Sequence, residues 1–126
     1  MKPFLATAAL AAALLAPAAY ADCTYPQAPT NLPDGSTATL KEMIAGMQQV
    51  STYNKAMEGY LACIKLERDS RVAQAGATLT KKQKEELEAI EIQKNNAAVD
   101  QLHAVADQFN AQVKIFKSKD KKSDSN

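Results

Sequence analysis

The stretch TATLKEMIAGMQQVSTYNKAMEGYLACIKLER, residues 37–68, decides the fold. Its larger apolar residues Leu40, Met43, Met47, Val50, Met57, Leu61 and Ile64 recur in steps of three and four, with Asn54 the polar member of the series. That spacing lines one side of a helix, and sustained over this length it is a heptad seam. Ser36 or Thr37 is placed to cap its start. The pattern fades after Arg68, and Gly76 supplies a natural stop.

A second helix opens at Thr80-Lys81-Lys82-Gln83, which has the composition of a capping box. Leu87, Ile90, Lys94, Ala98, Leu102, Val105, Phe109, Gln112 and Phe116 then keep to one face. Folding the two stripes antiparallel pairs Leu40 with Phe116, Met47 with Phe109, Val50 with Val105, Met57 with Ala98 and Ile64 with Ile90. The two numbers of each pair sum to 154, 155 or 156, and half of 155 falls between Ala77 and Thr78, inside the expected turn. The sequence therefore predicts an all-α protein, a long antiparallel two-helix hairpin with coiled-coil character and helices over about 37–73 and 81–117. Residues 118–126, rich in Lys, Ser and Asp, are expected to be a disordered tail.

Residues 22–36 form a leader in which Pro26, Pro29 and Pro33 forbid a helix and favour an extended chain. The chain has two cysteines, Cys23 at the start of this leader and Cys63 in the first helix. Thirteen residues separate Ser36 from Cys23, about 40 Å at polyproline II rise. A helix starting near Thr37 carries Cys63 about 39 Å along its axis. The leader can thus run antiparallel along the first helix and meet its partner cysteine, which predicts a Cys23–Cys63 disulfide. Tyr53, Ala56, Gly59 and Tyr60 share a flank with Cys63 and are the expected leader-packing residues. The same flank could instead hold a Pro-rich peptide from outside.

Ahead of the leader, Lys2 is the only charge in residues 1–21, Leu5 to Ala16 are apolar, and Ala19-Tyr20-Ala21 has the small-x-small form that a signal peptidase cuts. The apolar run is too short to span a bilayer. Asp22 before Cys23 argues against lipoprotein processing. This reads as a cleaved signal peptide and a periplasmic destination, where a disulfide can persist.

The 126 residues are 46% hydrophobic and carry 15 Lys and Arg against 14 Asp and Glu. With Lys2 removed the charges balance, which argues against a nucleic-acid partner and against stable membrane insertion after cleavage. The lysines from Lys114 onward are the one basic bias.

Little in the chain suggests catalysis. His103 is the single histidine, and Asp100, His103 and Asp107 span too far along one helix to ligate one ion unaided. There is no Gly-rich phosphate loop, and Glu85, Glu86, Glu88 and Glu91 fit a solvated helix start. The expectation is no enzyme, no metal, no cofactor and no small-molecule substrate.

One feature is in excess. Ile92, Val99, Ala106 and Val113 form a further stripe at seven-residue spacing. Either the first helix covers it, or it is the partner-binding face for a second hairpin or a foreign protein.

The motifs Cys23-Thr24-Tyr25-Pro26, Leu32-Pro33-Asp34-Gly35 and Tyr60-Leu61-Ala62-Cys63 resemble those of small exported α-helical proteins of unknown function from Gram-negative bacteria, over roughly residues 22–70. That resemblance implies export and a helical fold but no activity. The functional expectation is a non-catalytic periplasmic interaction or structural protein of the cell envelope. The alternatives are a chaperone-like holder of apolar segments, or an accessory subunit of an envelope enzyme.

Overall fold

A computed structural model describes residues 23–123; the expected signal peptide at residues 1–21, Asp22 and the last three residues lie outside the described residues. Two helices, α1 (Leu40–Ala75) and α2 (Lys81–Ser123), pack against each other, joined by a short 3₁₀ turn at Gly76–Thr78. Among the described residues there is no strand, and no helix is long and apolar enough to cross a membrane. The expected helical hairpin is therefore present, with the leader extended along it.

Helix α1 starts later than Ser36 or Thr37. Asp34 builds a turn first: its carboxylate accepts from the Ser36 amide (2.8 Å) and hydroxyl (2.7 Å), and its carbonyl accepts from the Thr37 and Ala38 amides. This Asx turn uses up the two residues that looked like caps. Thr39 caps instead. Its hydroxyl accepts from the Glu42 amide, and the Glu42 carboxylate accepts the Thr39 amide at 2.7 Å, a complete capping box. At the far end Gly76 takes φ 51°, a backbone conformation that side chains disfavour, and its amide bonds back to the Val72 carbonyl. Thr80 and Gln83 form the expected box at the start of α2.

Helix α2 runs six residues past the expected end at 117. Lys119 explains part of this extension. Its ammonium donates to the Ala38 carbonyl at 2.8 Å and sits 5.0 Å from the centre of the Phe116 ring, tying this last stretch to the entrance of α1.

The core forms two clusters along the hairpin, with half-buried Val50 packed against both. Tyr53, Met57, Tyr60, Ile64, Ala98 and Val105 make its central part, and Ala38, Met43 and Phe109 its base. Met57 and Ala98, paired in the sequence register, are both fully buried. The α1 seam, however, is turned by one position. Met43, Val50, Met57 and Ile64 keep their places, but the intervening core positions are Gly46, Tyr53 and Tyr60 rather than Met47, Asn54 and Leu61. Met47 and Leu40 are exposed. A third element causes the turn: the leader lies on the Gly46–Tyr53–Tyr60 flank and buries it. In the distal half of α2, Glu91 and Asn95 likewise turn inward where Ile90 and Lys94 were expected.

Candidate functional site: the strapped face and the open face

The leader is pinned at its start by the Cys23–Cys63 disulfide, with Cα atoms 5.7 Å apart, a distance ordinary for such a bond. Next to it the Tyr25 ring meets Tyr60 edge to face at 5.0 Å. Ala28 and Leu32 pack against the core farther along. Tyr53 and Tyr60 are leader-packing residues, as their spacing suggested. Burial, then the nearby Tyr25 phenol, push both hydroxyls above the ordinary tyrosine pKa of 10.0. The Tyr53 hydroxyl is buried without a hydrogen bond among the described residues.

Ala56 and Gly59 lie outside the buried core. Both are exposed, and a Cβ on Gly59 would meet nothing within 4 Å. The close approaches lie at two other glycines. A Cβ on Gly46 would stand 2.5 Å from Pro33 Cδ and 2.9 Å from Phe109 Cε2, so leader, α1 and α2 converge there. A Cβ on Gly35 would overlap the Gln112 carbonyl, and the Gly35 amide donates to Gln112 Oε1 at 2.9 Å. Gly46 falls on the same side of α1 as Tyr53 and Tyr60, two heptad steps below Tyr60, and its size was the available signal.

With one face strapped, the opposite face is open. At 100° per residue, Leu40 and Met47 stand roughly 80–100° round α1 from Met57, on the flank away from Tyr53 and Tyr60. On α2, Ala106 and Val99 stand roughly 100–120° from Val105, and in an antiparallel pair this is the same side of the hairpin. Leu40 (63% exposed), Ile44 (45%) and Met47 (55%) from α1 share that side with Ile92 (51%) and Val99 (41%) from α2. Half-buried Leu61 and Leu102 lie between. The four stripe residues thus divide: Ile92 and Val99 are open, Ala106 is half-buried, and Val113 packs against the basal core.

Charge is scarce on this face. From Leu40 to Leu61 the α1 flank carries Glu58, with Lys55 at its edge beside Ile44. From Ile92 to Val113 the α2 flank carries no Asp, Glu, Lys or Arg, its polar members being Asn95 and Asn110, with His103 at its edge. The ions gather elsewhere. Near the tip Arg68 bridges Asp69 and Glu91, each at 2.8 Å, while Lys65 pairs with Asp69 and Arg71 with Glu67. Hydrogen bonds from Lys65 and Arg68 hold the Asp69 carboxyl below its usual pKa. Between the arms there, Ile64, Arg68, Leu87 and Glu91 line a space of about 30 Å³, room for one water. His103, Asp100 and Asp107 are exposed. Among the described residues no three His, Cys, Asp or Glu side chains cluster so as to hold a metal.

The fold and this geometry define a disulfide-strapped αα-hairpin with one face covered by its own leader and one left open. No protein-family model, curated protein or solved structure matches the chain.

Proposed function

We propose that this chain is exported by residues 1–21 and works in the periplasm as a non-catalytic interaction or structural protein of the cell envelope, using its open face. One observation carries the reading: an exposed apolar surface nearly free of charge, on a hairpin whose other face is already covered. Single exposed apolar residues are ordinary, but a group of them drawn from two helices onto one side marks a contact surface. The disulfide supports an oxidising compartment. The apolar h-region and the Ala19-Tyr20-Ala21 site support export.

The test is site-specific photocrosslinking in the intact envelope. A photoreactive residue at Val99 should give a covalent protein adduct. The same residue at Leu66, 69% exposed but on the outer side of α1, should not. Absence of any adduct at Val99, or equal adducts at both sites, contradicts the reading.

A second reading, a holder of apolar client segments, draws on Met47, whose flexible thioether side chain is exposed and can adapt to varied surfaces. Suppression of client aggregation that disappears in Val99→Asp would favour it.

A further inference from the structure

The open face has a size and a charge pattern that select an occupant. We infer that it is covered by a second copy of this chain, giving a four-helix bundle with the two leaders on its outer sides. The inference rests on the interaction reading above and names its partner.

Area is the first argument. The exposed parts of Leu40, Ile44, Met47, Ile92 and Val99 come to roughly 500 Å², close to the apolar share of the ~800 Å² that each partner contributes to a standard interface. Charge is the second. A face meeting its own copy must not repel itself, and this one carries Glu58, with Lys55 at its edge beside Ile44, on α1, and no Asp, Glu, Lys or Arg on the α2 flank from Ile92 to Val113. It offers no charged pattern by which a foreign partner would be selected. Shape is the third. The exposed residues lie on a diagonal, with the α1 group far from the hairpin turn and Ile92 and Val99 nearer to it. A two-fold axis parallel to the helices lays α1 of one copy along α2 of the other. Met47, level with residue 108, then sits near Ala106 of the second copy, and Val99, level with residue 56, between its Asn54 and Glu58. The contact is isologous, so the bundle closes at two chains. Asn54 and Asn95, both half-buried, have no hydrogen bond among the described residues and would fix the register.

Sedimentation equilibrium of the disulfide-bonded protein purified from the periplasm tests this, over concentrations up to about 100 µM. The expected mass is that of two chains. Met47→Asp and Val99→Asp should each raise the dissociation constant at least tenfold with helical circular dichroism unchanged, and Leu66→Asp should leave it within twofold. A single-chain mass at the highest concentration overturns the inference, and so does a dimer indifferent to both face substitutions. A single-chain mass together with a foreign adduct at Val99 removes the second copy and leaves the interaction reading standing. No adduct at all removes both.

Discussion

Replacing Gly46 and Gly59 by alanine should move stability in opposite directions. Both glycines lie inside α1, so each substitution gains the same helix propensity, about 1 kcal/mol. At Gly59 nothing opposes it, because the new methyl meets no atom within 4 Å. At Gly46 the methyl would stand 2.5 and 2.7 Å from the Pro33 ring and 2.9 Å from the Phe109 ring, against the 3.5–4.0 Å of ordinary carbon contact. Neither ring can bend away, so leader, α1 or α2 must shift, and overpacking of this kind costs about 1–3 kcal/mol. Gly59→Ala should therefore stabilise by about 1 kcal/mol, while Gly46→Ala is neutral or destabilising by up to about 2 kcal/mol. The propensity gain cancels between the two, leaving a gap of about 1–3 kcal/mol that reports leader packing alone. Urea unfolding of the oxidised proteins by circular dichroism measures it, and in a domain of this size the melting temperatures should differ by at least roughly 4 °C. Equal stabilisation by both substitutions would refute the three-way contact at Gly46.

Reducing the disulfide, or replacing Cys63 by serine, frees a loop closed over 40 residues and should destabilise the protein by up to about 4 kcal/mol, measured by urea unfolding with and without reductant. Thr39→Ala removes the observed cap and should cost about 1 kcal/mol, whereas Thr37→Ala should change stability little, the reverse of what sequence spacing alone suggested. The Asp34, Glu42 and Asp69 carboxyls are held below 3.8, 4.5 and 3.8 by hydrogen bonds to Ser36, Thr39, and Lys65 with Arg68. Each therefore contributes stability above its unfolded pKa that is lost as pH falls through its folded one. Urea resistance should be level from neutral to about pH 5 and decline below about pH 4, less steeply in high salt because all three are exposed.

The hairpin was legible because two long stripes share one register: Met57 and Ala98 needed only their spacing to be matched. The Cys23–Cys63 bond was legible because an extended leader and a helix reach equal lengths. What spacing could not show was the third layer. Met43, Met47, Val50 and Asn54 fit a two-helix seam as well as Met43, Gly46, Val50 and Tyr53 do, and only a leader on one flank chooses between them. Gly46, outside the series of larger apolar residues, is the point where three elements touch. The Thr39 cap was hidden because Ser36 and Thr37 are equally good cap residues in isolation, until Asp34 engages the Ser36 side chain and both amides. The same one-position turn exposes Met47 and Leu40, so the open face draws on both helices, whereas the sequence stripe named α2 alone.

The strapped face requires leader, α1 and α2 to meet at one place, and nuclear Overhauser spectroscopy of the oxidised protein reads this directly. Gly46 Hα should show cross-peaks both to the Pro33 Hδ protons and to the Phe109 ring protons, with both sets surviving dilution because they lie within one chain. A Gly46 that sees Phe109 but not Pro33 would leave a bare hairpin with an unattached leader, and would contradict both the strapped face and the open face defined by contrast with it.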